Sequence, residues 1–227
     1  MPFEKLDNPA WWALTGPQQQ FATGTAHIKR YQRDILSFVA YDHSMPDIAN
    51  ELDSLLEAGE TFYIIGELPP LPSSCTLVKE LPCVQMILQE PVVIVENAVA
   101  ISPLTASHSI DMFNLINKVQ PGLYVPDTRR LGDYYGVWQE DKLVAMAGER
   151  IQPEHLTEIS AVVTDPDYTG RKYAQQLVTH LCNANLNKGN IPFLHVLQSN
   201  ERAIKVYEYL GFKKRRTISF WQLKKTE

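Results

Sequence analysis

The 227-residue chain has little cysteine, no surplus of positive charge and no long hydrophobic run, and each shortage closes off a class of function. Cys75, Cys83 and Cys182 are odd in number, widely spaced and never in a CxxC pair, so neither a disulfide framework nor a cysteine zinc site is expected. The six histidines show no paired spacing suited to zinc, and no metal is expected. A net charge of −5 and a pI near 5.7 leave no broad basic surface, which argues against nucleic acid as a partner. The longest apolar runs, PVVIV at 91–95 and ISAVV at 159–163, fall far short of the roughly 20 residues that cross a bilayer, so no membrane partner is expected. The opening MPFEKLDNPAWWALTGPQQQ carries acids and prolines where a secretory leader has a basic start and an unbroken apolar stretch. Reduced thiols in a cytoplasmic protein fit these features. No GxGxxG follows the first strand pattern, which argues against a Rossmann-type nucleotide enzyme.

What is present is the material of a core. With 44% hydrophobic and 10% aromatic residues, the chain can fill one large or two modest domains. Residues 22–96 read as a mixed unit: TAHIKRY as a strand, MPDIANELDSLLEAG as a helix ended by Gly59, and TFYIIGE as a strand. LPPLPSSC interrupts regular structure, after which CVQMILQ and VVIVENAVAI resume extended patterns. SPLTASHSIDMFNLINKVQPG then has the cap and period of a new helix ended by Pro121 and Gly122. A boundary is expected near residue 98, between a non-catalytic mixed α/β domain (1–98) and a second domain (99–227). In the latter, DYYGVWQEDKLVAMAGERI reads as a hairpin turning at Glu140 and Asp141, and HLTEISAVVT as a third strand. KYAQQLVTHLCNANLNKG is a helix, IPFLHVLQ a strand, SNERAIKVYEYLG a short helix capped by Ser199 or Asn200, and KKRRTISFWQLKK a final strand pair or ribbon. The order β-β-β-α-β-α-β gives an α/β fold of the α+β kind with a mixed sheet.

The turn TDPDYTGRKYA sits between a strand and a helix. Asp, Pro and Gly suit any such connection. They also suit an anion site, in which Gly170 lets a ligand approach the amides that open the helix while Arg171 and Lys172 add charge. Asn200 and Tyr207 are seven residues apart, two helical turns, so an amide and a phenol share a face. Tyr207 then either packs in the core or donates a proton, a task for which a weak acid protonated at neutral pH is suited. Glu158 shares a strand face with Ser160 and Val162. It can take a proton from an ammonium group, with partial burial raising its pKa, or it can end the strand in water or in a salt bridge with Arg150. Glu149 is the second candidate base. His195 reads as a satisfied sheet histidine and KKRR at 213–216 as a solvated face. Tyr134, Tyr135 and Trp138 are core or pocket wall, and Arg129 or Arg130 is a possible clamp for a carboxylate.

Taken with the β-β-β-α-β-α-β order, the segments VVTDPDYTGRKYA, LHVLQSNERAIKVYEYLGF and LVAMAGER resemble the GCN5-related N-acetyltransferases (GNAT), and within them the FR47-like group, over residues 99–223. In that superfamily a turn of pattern Q/R-x-x-G-x-G/A binds the pyrophosphate of an acyl-CoA through its amides. Here the six positions are Thr169, Gly170, Arg171, Lys172, Tyr173 and Ala174. Thr169 and Lys172 depart from the pattern, and Lys172 fits the turn if its φ stays negative. The resemblance further implies that Asn200 bonds the pantetheine arm and that Tyr207 protonates the departing thiolate. A backbone amide of Ala161, Val162 or Val163 would polarise the thioester carbonyl, and Glu158 is the expected base. The implied activity is transfer of acetyl from acetyl-CoA to the amine of a small molecule in a ternary complex, without metal. A non-catalytic acyl-CoA sensor or interaction module of the same fold is the rival. The first 98 residues resemble a degenerate half of the fold, expected to cover a sheet edge and not to bind CoA.

Overall fold

In the computed structural model, residues 3–92 and 98–226 are described. Helix α1 (Pro9–Leu14), with proline at its first position, precedes an antiparallel meander of β1 (Ala22–Gly24), β2 (Ile28–Tyr31) and β3 (Val39–Tyr41). Helix α2 (Ala49–Leu55) and strand β4 (Thr61–Ile65) follow, then the 13-residue strand β5 (Cys75–Ile87). The second part of the chain runs β6 (Ser102–Pro103), α3 (Ser109–Val119), β7 (Tyr134–Gln139), β8 (Lys142–Glu149) and β9 (Leu156–Thr164). It ends with α4 (Tyr173–Asn187), β10 (Ile191–Leu197), α5 (Glu201–Tyr209) and β11 (Lys213–Lys225). From β7 onward this is the β-β-β-α-β-α-β order read from the sequence. Glu140 and Asp141, at φ 49° and 62°, make the left-handed two-residue turn that matches the twist of the β7–β8 hairpin. Helix α1 and strand β3 have no counterpart in the sequence reading, and of the stretch VVIVENAVAI residues 93–97 lie outside those described.

Eight strands form one sheet in the order β4-β11-β5-β10-β9-β8-β7-β6. Strand β5 is antiparallel to both β10 and β11 and lies between them. Residues on either side of 98 therefore share one hydrogen-bonded sheet, and the boundary expected there does not divide it. Strand β11 is a single long strand that pairs with β5 and β4, where a self-paired ribbon was expected. One apolar cluster also crosses residue 98: Leu6, Leu14, Tyr31 and Phe38 pack with Phe193 and Phe220, the rings of Phe38 and Phe220 meeting edge to face at 5.8 Å. On the opposite face, Leu177, Val178, Leu181 and Cys182 of α4 are buried against β8, β9 and β10. A leucine buried this way contributes about 1.5–3 kcal/mol.

Candidate active site

Strands β9 and β10 pair in parallel only over Leu156–Glu158 and Ile191–Phe193. Beyond that point β10 continues along β5 and β9 along β8, so the two diverge. On the β9 side of this divergence, α4 and α5 wall a cleft of about 370 Å³ lined by Val162, residues 168–175, Asn200 and Tyr207 among others. Where β9 borders it, the β8–β9 register shifts: Val163 faces Met146, whereas Ser160 faces Gly148. The extra residue bulges the strand, and Ala161 takes φ 51°. A left-handed alanine costs about 1–2 kcal/mol, strain kept at the point where β9 loses its second neighbour.

The turn between β9 and α4 is held by Asp165, which accepts from the Asp167 amide and pairs with Lys142 at 2.8 Å and Lys118 at 2.9 Å. Hydrogen bonds from Lys142 and Lys118 hold its carboxyl well below the usual carboxylate range. Gly170 has φ 80° and space around it, so conformation and not crowding calls for glycine there. Lys172 has φ 61°, which corrects the expectation of a negative φ. Its place in the turn requires the left-handed conformation that the superfamily's glycine adopts freely. Arg171 lies over the Tyr168 ring at 5.0 Å. Helix α4 begins at Tyr173 with no side-chain cap, so its first amides lack intrahelical partners and border the cleft.

Asn200 caps α5, its Oδ1 accepting from the Ala203 amide at 3.1 Å, which leaves its amide nitrogen as the donor toward the cleft. Tyr207, two turns along, packs edge-on to Phe212 at 5.8 Å. Burial, with a smaller contribution from Cys182, pushes its phenol up to about 12, so it remains protonated at any ordinary pH.

Glu158 differs from what the sequence led us to expect. It is fully buried, outside the cleft lining, and its Oε1 accepts from Arg150 Nη2 at 2.6 Å and contacts His195 Nδ1 at 2.8 Å, while Oε2 accepts from Arg150 Nε at 2.9 Å. Burial alone would raise its pKa. The Arg150 charge and the bonds from His195 and Arg150 outweigh burial and hold it at about 2. So weak a base does not take a proton from an ammonium group, and of the readings open in the sequence the salt bridge with Arg150 is the one realised. Glu149 is likewise occupied, accepting from Asn185 Nδ2 at 2.6 Å and from the Asp133 amide at 3.0 Å. His195 is buried within the same network, its Nε2 2.9 Å from Gln85 Nε2. The basic run at 213–216 is largely exposed, as expected, and carries ion pairs: Arg215 and Arg216 reach Asp7 at 2.7 and 2.6 Å, and Lys214 reaches Glu208 at 3.0 Å. Arg129 donates to Ser109 Oγ and Arg130 to Asp127, and neither lines the cleft.

A second, smaller cavity lies on the α3 side of β9, reached from the same bulge, and is lined by Tyr124, Tyr134, Arg150, Ser160 and Ala161. Tyr124 escaped the sequence reading. It stands in the Gly/Pro-flanked connection after α3, where no periodicity marks a residue. Among the described residues no group of three or more His, Cys, Asp and Glu is placed to hold a metal ion, and no helix is long and apolar enough to cross a membrane.

The FR47-like protein family model matches residues 134–221, the stretch from β7 into β11. A GNAT-family protein from Novosphingobium aromaticivorans is 32% identical, with a TM-score of 0.90 over 98% of this chain and 99% of that one. A GCN5-related N-acetyltransferase from Kribbella flavida shares the fold at 11% identity, with a TM-score of 0.62 over 97% of this chain and 96% of that one. No curated protein sequence matches the chain. Similarity along nearly the full length, with the FR47-like segment inside it, makes this protein a member of the GCN5-related N-acetyltransferase superfamily, in its FR47-like group.

Proposed function

We propose that the protein transfers an acetyl group from acetyl-CoA to the amine of a small molecule, with both substrates held in one ternary complex. The observation that carries this reading is the convergence on one cleft of Val162, next to the bulge at Ala161, the Gly170–Lys172 turn and Tyr207. In this reading the amides from Gly170 to Ala174, with Arg171 and Lys172, receive the pyrophosphate at the start of α4. The gap between β9 and β10 takes the pantetheine arm, with the Asn200 amide nitrogen as donor. A backbone amide of the Ala161–Val163 stretch is directed at the thioester oxygen, where negative charge grows as the amine attacks. Tyr207 stays protonated and donates to the sulfur as it leaves, while orientation of the two substrates supplies most of the remaining acceleration.

With Glu158 and Glu149 committed to interior bonds, the proton lost by the amine passes to solvent, and no dedicated carboxylate base is assigned. Residues 1–98 act structurally in this reading, by filling the place between β10 and β11, and one acyl-CoA binds per chain, to residues after 98. The test is release of free CoA thiol from acetyl-CoA in the presence of a panel of small amines, alongside calorimetric titration with CoA. Binding of one equivalent of CoA and amine-dependent thiol release support the proposal. Binding without thiol release from any amine favours the non-catalytic acyl-CoA sensor, and absence of binding removes both readings.

A further inference from the structure

The cavity on the α3 side of β9 has features that folding alone does not call for. Tyr124 and Tyr134 are 6% and 3% exposed, and both hydroxyls lack a hydrogen-bond partner. A buried hydroxyl without a partner destabilises a protein, so two around one cavity mark a place completed by something else. Their rings meet edge to face at 6.1 Å. Tyr134 is held there by its cross-strand neighbour Gly148, where a Cβ would stand 2.2 Å from the ring. Burial keeps both phenols protonated, hence able to donate. The rest of the wall includes Arg150, the Ser160 hydroxyl and, at the mouth, the exposed amide of Gln120, and no acid lines the cavity. The donors therefore suit an anionic oxygen group and do not suit an ammonium. At about 30 Å³ the space is that of two water-sized centres, the two oxygens of one carboxylate. The bulged residue Ala161 is part of this wall while its neighbour Val162 lines the cleft, so a group seated here lies across β9 from the thioester position.

We propose that this cavity binds the carboxylate of the acetyl acceptor, through the hydroxyls of Tyr124 and Tyr134 beside Arg150, and that the acceptors are therefore small amino acids and not simple amines. This rests on the acetyltransfer reading of the neighbouring cleft. The amine, one carbon from the carboxylate in an α-amino acid, is left on the side of the bulge.

The experiment compares L-alanine, L-alaninamide and ethylamine, and L-phenylalanine with phenethylamine, as acceptors for the full-length protein and for its Tyr124→Phe and Tyr134→Phe variants. The wild-type protein should favour each amino acid over its partners by about 10- to 100-fold in kcat/KM, the range of a hydrogen bond to a charged group. Each variant should raise KM for the amino acid about 10-fold, leave the amine's KM and CoA affinity unchanged, and melt no lower than wild type, because the deleted hydroxyl has no partner to lose. Equal use of amine, amide and amino acid would overturn the proposal, as would variants that slow every acceptor alike. If CoA binds but no acceptor reacts, the CoA-loaded protein is titrated with L-alanine while the tyrosine ring resonances are followed. Shifts that Tyr134→Phe abolishes uphold the site, and their absence removes it. Failure to bind CoA at all is a failure of the acetyltransfer reading, separately recognised.

Discussion

Up to residue 92 the buried polar side chains mostly end in bonds to the protein itself. Asn8 donates to the Tyr41 carbonyl, Gln18 to the carbonyls of Arg150 and Leu131 while accepting from Tyr31, and Gln85 to the Leu6 carbonyl. Arg30 is ion-paired with Glu60 at 2.5 Å, leaving Nη1 as the exception. After residue 98 the balance changes. The hydroxyls of Tyr124, Tyr134, Thr157 and Thr179 are buried without partners, the helix after the basic turn opens uncapped, and Ala161 and Lys172 hold left-handed backbone. One sheet joins the two regions, so the difference is not one of fold. Polar groups that are internally satisfied build the scaffold. Two of those hydroxyls, on Tyr124 and Tyr134, and the left-handed residues Ala161 and Lys172 lie around the two cavities at β9, which is where a ligand would resolve them.

The comparison breaks first if the early region is dispensable. Deleting residues 1–98 removes β5 from between β10 and β11 and uncovers Phe193 and Phe220, so the remaining chain should not fold to a soluble monomer. A fragment 99–227 with a cooperative thermal transition and full activity would end the scaffold assignment.

Glu158→Gln comes next in size. It removes one partner of a buried ion pair and leaves Arg150 uncompensated, a loss of about 3–5 kcal/mol of stability. The folded-state pKa of about 2 lies below the ordinary carboxylate value. The stabilisation it represents is therefore complete above roughly pH 4.5 and is lost as pH falls toward 2. Denaturant titrations of wild type between pH 6 and 2.5 should show that decline, and the variant should show less of it. A variant as stable as wild type, with an altered pH–rate profile near neutrality, would return Glu158 to the catalytic machinery.

How far the sequence reached differs between these cases for a physical reason. The strands from β7 onward, the two helices flanking β10 and the place of the hairpin turn were legible because each is set by residues close in sequence. The position of β5 was not: its partners lie more than 100 residues on, and strand patterning records that a segment is extended without recording what it pairs with. Glu158 shows the same limit. Its spacing from Arg150 allowed a salt bridge, but choosing between bridge and base needed His195, from a different strand, on the same carboxylate. That Asn200 and Tyr207 share a face and that the basic turn opens α4 was legible, since each pattern sits on one helix or one turn. Tyr124 carried no local mark at all.

Tyr207→Phe tests the later region directly. The hydroxyl has no assigned role in the core, so the variant should keep its melting temperature within a few degrees and its CoA affinity, while kcat for acetyl transfer falls by about 10²-fold. Unchanged kcat at saturating substrates would leave Tyr207 as a wall of the cleft.

The smallest effect separates strain from charge at one residue. Lys172 holds a left-handed φ of 61° that glycine adopts without cost, so Lys172→Gly should relieve about 1 kcal/mol in the ligand-free protein, offset in part by the freedom glycine gains in the unfolded chain. The lysine charge acts in the opposite sense once a pyrophosphate is bound, by about 0.3–1 kcal/mol at an exposed helix start. The two terms differ in their response to salt. At low ionic strength Lys172→Gly should bind CoA several-fold more weakly than wild type, and at about 1 M salt, where the screening length is near 3 Å, the two proteins should bind alike or the variant slightly better. Lys172→Ala, which loses the charge and keeps the strain, should bind CoA like Lys172→Gly at every salt concentration, because strain present with and without ligand cancels from the affinity, and should be the less stable of the two variants. If Lys172→Gly and Lys172→Ala unfold at the same denaturant concentration, the left-handed backbone at this position has no energetic weight, and charge alone accounts for the residue.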